Sequence, residues 1–533
     1  MTFSPQKKPI RNIPSLRYGM NTQQESDEIQ DFEMADCENF SIEEDAVKSA
    51  PGFVRYDTKL DTGPVWGIYE FIKSDGTHTL IRQIAGKLQY DANGAGGWAD
   101  CTLPTVGSPA ATVILTQIQP TFASLNDILI FSNGTDGVMS SADGITWTIR
   151  PTLPKGRIVF NNGYNRLLFC NTPEAHSIIW WTEINDPLTV RASSWQYIDP
   201  NNGQDILGIG KLPNGAMIIF KNKSYYSVDD ITLGMATVTY LGDFYLASHH
   251  TIKTTENSII AAGIDGIYEF GGGIMNKISG RINWTGRNAI TRFDLMTAVY
   301  LDSKYYLSMP DATVAQTYNS QEYVVYRNIR RGDPVQPYAI TRNRRYWGCY
   351  GIEERVSGAG KIFRLHVGES KDFTLGSPAV TASKNNYVNY QRNTGVTQGL
   401  NGEAQESFFI TKFFTDDVPY FVKRYKKVFL DMKISDDVTV TLGYRFSPNG
   451  AFTEVAQDFS VGNIDMILED GLTRGFIEGF NFKSPDYGSE NTFFSIENTG
   501  KPRGIQLRIS VNDADNVTAL GLAYQFKVKQ KFK

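Results

Sequence analysis

Cysteine, histidine and long apolar runs are what this chain has least of, and each shortage removes a class of protein. Its 533 residues include four cysteines, Cys37, Cys101, Cys170 and Cys349, scattered without a CxxC pair, and five histidines. A disulfide scaffold or a zinc site needs closer spacing of its ligands. Neither is expected, no metal or cofactor is expected, and the adjacent His249 and His250 read as loop or packing residues that could hold a metal only with partners from elsewhere. No apolar run reaches the ~18 residues that cross a bilayer, and the basic start MTFSPQKKPIRNIP leads into no apolar signal segment. The expectation is cytoplasmic synthesis without membrane insertion. A large charge of one sign is missing too. With 52 basic and 57 acidic side chains, net −5, any electrostatic partner must be met by a local patch rather than by the whole surface.

What the chain has in quantity is aromatic side chains, 12% of residues, and glycine, at 48 positions. Short runs of Val, Ile, Tyr, Phe and Thr punctuated by glycine are the composition of packed β-sheet, so the fold class expected is all-β. From about residue 64 a rhythm sets in: VWGIYEFI, a turn at Asp75-Gly76, HTLIRQI, a turn at Gly86, LQYD. Acid-glycine pairs suit tight hairpins, and the pieces read as an antiparallel meander. The rhythm returns through TFASLNDILIFSNG, GRIVFNNGYNRLLFCN, AMIIFKNKSYYSV, SIIAAGIDGIYEFGGG and EYVVYRNI, in units of about 40–50 residues. Six such units fit between 50 and 375, which predicts a six-bladed, irregular β-propeller, with stacked sandwiches as the alternative. Residues 1–49 are polar and proline-bearing and read as an extended N-terminal arm; 376–405 read as a linker or long loop; 406–533 carry longer strands and predict a C-terminal β-sandwich.

The stretch SSADGITW, residues 140–147, sets a functional question. Ser141, Asp143, Gly144 and Trp147 reproduce the elements of the Asp box of β-propellers, one residue short, in which Asp accepts backbone N–H groups and Trp wedges between sheets. Sialidases carry such boxes away from their active sites, so Asp143 is expected to shape a turn. A sialidase also needs three arginines around a carboxylate and a tyrosine nucleophile. The chain offers only Arg11-Asn12-Ile13-Pro14 where such enzymes begin with an aromatic-Arg-Ile-Pro segment. Asp265-Gly266 is read in the same way, as a second structural turn.

Residues 326–351 gather Arg327, Arg330, Arg331, Arg342, Arg344 and Arg345 against one acid, Asp333, with tyrosine and tryptophan between them. Guanidinium with aromatic interleaving suits phosphate contact, so these six are candidates for a DNA-channel or subunit-interface patch. The bland alternative is a solvated hairpin paired with acids of a neighbouring subunit. The lysine runs around 423–427 and 527–533 read as charge that blunts edge strands.

Two stretches, IIWWTEINDPLTVRASSWQYIDPNNGQDILGIGKLPNGAMIIFKNKSYYSV and HHTIKTTENSIIAAGIDGIYEFGGGIMNKISGRINW, resemble a family of tailed-bacteriophage virion proteins, the tail nozzle, tail tubular or packaged-DNA stabilisation proteins. The segment from Tyr18 to Phe53 is similar to their opening pattern, with Asn21, Asn39, Lys48, Pro51 and Gly52 at matching positions. The resemblance covers most of residues 18 to about 310 and implies a homo-oligomeric, typically hexameric ring below the portal. It further implies contacts with portal, adaptor and other tail proteins, transient non-specific contact with double-stranded DNA, a place in the virion tail, and no catalysis. The alternative is a carbohydrate-active or glycan-binding propeller.

Overall fold

The computed structural model describes residues 10–13, 15–43, 46–56, 61–92, 97–107, 111–229, 236–284, 290–311, 316–357, 360–370, 386–387, 389–393, 406–416, 423–433, 438–459, 494–495, 502–512 and 518–528. The alternating runs fold as antiparallel meanders. Val65–Ile72, His78–Ile84, Lys87–Ala92 and Ala99–Asp100 pair in that order, and five further runs of four do the same. Tight turns set their register. Ala85-Gly86, Asn126-Asp127 and Asp302-Ser303 each have φ > 0 at both positions, the geometry whose twist matches that of the flanking strands. Second strands such as Ile259–Gly263 and Met217–Lys221 are buried along their whole length, because a neighbouring sheet covers each face.

The first strands of successive sheets lie against one another in a closed order. Val65–Ile72 meets Thr121–Leu125, then Ile158–Asn161, Ile206–Lys211, Lys253–Thr254, Thr297–Leu301 and Trp347–Ser357, which returns to Val65–Ile72. Four-stranded sheets repeated radially around an axis make a β-propeller. The expected count of six sheets is corrected to seven among the described residues. The seventh escapes a count of consecutive units because it is assembled from both sides of the ring. Trp347–Ser357, Gly360–Glu369 and Asn389–Asn393 are completed by Gly52–Arg55, with Arg392 opposite Phe53. So part of the expected linker 376–405 is a strand; Asn386–Tyr387 also pairs with Asp61–Thr62, and the rest of that stretch lies outside the described residues.

Past the ring, two sheets form the C-terminal unit. One runs Phe40–Glu43, Ala46–Ser49, Thr518–Val528, Lys423–Lys433, Phe494–Ser495, with Ile10–Ile13 also on Thr518–Val528. The other runs Asp36–Glu38, Ser407–Ile410, Gln506–Asn512, Val438–Arg445, Thr453–Phe459. The expected extended arm over 1–49 is therefore corrected: its described strands belong to these sheets, Ile13 opposite Leu522 and Cys37 opposite Phe409. Short polar segments read as an arm because their pairing partners stand about 370 to 510 residues later, where no local pattern can show them. One apolar core joins the two parts, running from Ile340 and Tyr323 of the sixth sheet through Met20, Met34 and Phe40 to Phe409, Val428 and Tyr524. Gly19 makes that junction possible. Its φ is +72°, and a Cβ there would stand 2.4 Å from the carbonyl oxygen of Ile340.

Candidate functional site

Asp143 sits at the turn between the third and fourth strands of the second sheet. Its Oδ1 accepts from the backbone N–H of Ile145 and Thr146, both at 2.8 Å, and from the hydroxyl of Ser141 at 2.8 Å. Burial by itself would raise the carboxyl's pKa; the N–H groups of Thr146 and Ile145 and the Ser141 hydroxyl outweigh it and hold the group below the usual carboxylate range. A carboxylate so engaged is a poor proton donor. Gly144 takes φ +77° with the side chains of Thr79 and Ile81 beside it, and Trp147, 3% exposed, packs among Phe71, Ile81 and Phe131 between the first and second sheets. Asp143→Ala is expected to lower local stability by about 1–2 kcal/mol, the scale of lost capping bonds, read as faster hydrogen exchange at the Ser141–Trp147 turn. Asp265 accepts from the Tyr268 hydroxyl at 2.9 Å and from Lys277 Nζ at 2.9 Å, and a Cβ on Gly266 would stand 2.5 Å from Lys277 Cε. Both acid-glycine pairs are occupied in holding turns.

The six arginines do not form a common patch. Arg327 reaches across to the fifth sheet and donates to Glu256 at 2.6 Å, Asn257 at 2.7 Å and Glu269 at 2.7 Å. Arg331 is buried against Glu33, whose carboxylate also accepts from Asn21 Nδ2 and from the N–H of Gln30. Arg342 pairs with Glu38 at 3.1 Å and Asp36 at 3.4 Å. Arg345, fully buried, donates to the Pro51 carbonyl and lies over the Phe53 ring. The patch expected from sequence is thus corrected: four of the six stitch the N-terminal segment and the fifth sheet to the sixth and seventh, and Arg330 and Arg344 alone among them are exposed. The acids that pair with Arg327, Arg331 and Arg342 come from the same chain. Asn39, at φ +59°, joins the same seam by accepting the Arg344 N–H and donating to the Glu406 carbonyl.

A site the residue patterns did not announce lies on the propeller axis. A cavity of about 380 Å³ is bounded by the inner strands, with Trp66, Phe122, Phe160 and Tyr350 on its walls and Lys253, His249 and His250 reaching it. A second chamber of about 140 Å³ shares Thr121 and both histidines and holds Arg157 and Asp294. The histidine pair therefore lines both chambers. It is placed there by the 3-10 turn His249–Thr251, capped by Ser248, whose hydroxyl accepts from the His250 N–H. The Thr251 hydroxyl donates to the Ser248 carbonyl, and its carbonyl accepts from the buried Tyr305 hydroxyl. The turn can lie on the inner strand Ile206–Lys211 because Gly208 and Gly210 have no side chains there. A Cβ on Gly208 would stand 2.4 Å from Ile252 Cδ1, and one on Gly210 2.8 Å from Ile252 Cγ2. Alternate glycines in a strand marking a close approach was the available signal.

Electrostatics on this axis are lopsided. Burial brings the His249 imidazole down to about 3, helped by Lys253 and Arg157, and His250 also falls well below its ordinary value. Burial pushes the Lys253 ammonium down to about 8. Among the described residues lining the larger chamber there is no Asp or Glu.

No family model matches the chain, and no curated protein does. Among solved structures, YCF48 from Cyanidioschyzon merolae is similar at 11% identity and a TM-score of 0.39, covering 64% of this chain and 99% of that one. Virginiamycin B lyase from Staphylococcus aureus is similar at 13% identity and 0.39, over 64% of this chain and 98% of that one, and BamB from Moraxella catarrhalis at 11% and 0.36, over 66% and 96%. Likeness at this level carries nothing about activity or partners. The chain is an all-β protein whose antiparallel four-stranded sheets form a propeller.

Proposed function

We propose that this protein is a structural subunit of a tailed-phage tail, assembling through its blade edges into a ring below the portal that continues the DNA channel and helps retain and release the genome. The resemblance of residues 18 to about 310 to tail nozzle and tubular proteins motivates the reading. The observation that carries it is a pair of outer strands with exposed aromatic side chains. Outer strands usually carry lysine or proline to discourage pairing, yet Trp195–Tyr197 and Thr237–Asp243, the outer strands of the third and fourth sheets, hold neither. They expose Trp195 at 38%, Tyr197 at 47% and Tyr240 at 55%, and are tied side by side by Gln196, which donates to and accepts from the Ala236 backbone. Exposed Trp and Tyr on a rigid edge suit a permanent subunit contact.

The DNA channel of this reading lies between copies. An axial cavity of about 380 Å³, crossed by a histidine turn, cannot pass a duplex whose major groove alone is about 12 Å wide. Arg330 and Arg344 are what the arginine segment leaves for phosphates. A sialidase-like reading gains no support, since Arg157 is the one arginine lining either chamber among the described residues.

Negative-stain microscopy and light scattering of the purified chain, alone and with portal complex, test the proposal. Rings are expected, and Trp195→Lys combined with Tyr240→Lys is expected to weaken assembly by about 2 kcal/mol or more, roughly thirtyfold. A strict monomer at every concentration, with no affinity for portal, would overturn it.

A further inference from the structure

We infer that the axial cavity is a binding site for a small organic anion, a carboxylate or phosphate carried on an apolar body, held by Lys253 with His249 and His250. This inference is independent of the assembly proposal, because it concerns the interior of one propeller. Three observations carry it together. First, Lys253 is half-buried, reaches the chamber and has no carboxylate partner among the described residues, while that chamber has no acidic wall. Withdrawing a cation from water without a counter-charge is costly, and an anion entering such a site gains more Coulomb energy than it could in bulk solvent.

Second, the neighbouring donors are oriented. The N–H of Ile209 points to His249 Nδ1 at 3.4 Å, so in the neutral imidazole the proton resides on Nε2, which is then a donor. The His250 ring lies edge-on to it at 5.6 Å, and the turn that carries both is fixed by Ser248, Thr251 and Tyr305. A preformed cluster with little ordering left to do suits binding. Third, Trp66, Phe122, Phe160 and Tyr350 are among the lining residues, and the volume falls in the ~300–1,000 Å³ range of ligand pockets. A bare inorganic anion would leave those walls unused. An apolar body beyond the charged head covers them.

Calorimetric titration of the full chain with benzoate, phenyl phosphate and neutral benzyl alcohol tests this. Both anions are expected to bind, the preferred one identifying the head group, and benzyl alcohol to bind at least about tenfold more weakly. Lys253→Met should reduce anion affinity at least about tenfold and Lys253→Arg should restore most of it. The pH dependence supplies a second reading. An ammonium with a pKa of about 8 is charged below that value and neutral above it, so anion affinity should fall between neutrality and about pH 9.5 and be flat in Lys253→Met. The other groups facing the channel do not titrate in that window. Tyr69, Tyr350 and Cys349 are raised by burial, the histidines are already neutral, and Asp294, lowered by Arg292, stays ionised. Equal binding of benzyl alcohol and benzoate, or unchanged benzoate affinity in a folded Lys253→Met, would sink the inference.

Discussion

Arg331→Met is expected to destabilise the protein by about 3–5 kcal/mol, the cost of leaving a buried carboxylate without its partner. Arg331 and Glu33 are both almost fully buried, at side-chain exposures of 1% each, and they join the N-terminal segment to the sixth sheet. Burial lowers the Arg331 guanidinium's pKa to about 10, with Asp333 and Tyr18 acting in the opposite sense. That direction says desolvation is the dominant effect on the cation. The double variant Glu33→Leu/Arg331→Met removes both charges and is expected to recover part of the loss only. Asn21 Nδ2 and the N–H of Gln30 lose their acceptor along with Glu33, and each orphaned donor costs about 1–3 kcal/mol. Because ring and sandwich share a core, a single unfolding free energy is a poor readout. The measurement is the first thermal transition together with hydrogen exchange over residues 18–34. A single variant whose exchange there matches the parent would remove the pair from any structural role.

The elements legible in the sequence were those whose determinants are local. Asp143 with Gly144 and Trp147 declares a turn because its donors lie within three residues, and the hairpins at Gly76 and Gly86 follow from backbone preference alone. The arginine segment was legible as charge and illegible as structure. Its counter-ions Glu33, Asp36 and Glu38 stand some 300 residues earlier, so a run that reads as exposed is in fact a seam. The same distance hid the seventh sheet and the true place of the N-terminal strands, since Phe53 meets Arg392 and Ile13 meets Leu522. The axial cavity was hidden for another reason. Lys253 and the histidines are ordinary in their local context, and what makes them a cluster is the closing of the ring around them, a property of the whole chain.

Ring closure itself gives the other large effect: Trp347→Ala is expected to cost about 3–5 kcal/mol and to open the propeller at one particular place. Trp347 begins the inner strand of the seventh sheet and is fully buried; its ring lies 4.9 Å from that of Phe53, on the strand that the N-terminal side contributes to the same sheet. The Trp347 carbonyl accepts from the Ser308 hydroxyl at 2.8 Å and from Asn319 Nδ2 at 2.7 Å, so the sixth sheet is fastened at the same point. A cavity there would loosen the packing of Phe53, and with it the strand Gly52–Arg55 that completes the sheet. Hydrogen exchange should then accelerate at Gly52–Arg55 and Asn389–Asn393 more than elsewhere. Ile219→Ala, in the fully buried second strand of the fourth sheet, is the control. It should cost about 2–5 kcal/mol yet leave exchange at the closing strands unchanged, because covalent hairpins hold all four of its own strands. Equal acceleration in both variants would mean that the ring yields as a whole, and that the sheet shared by distant parts of the chain is no more its weak point than any other.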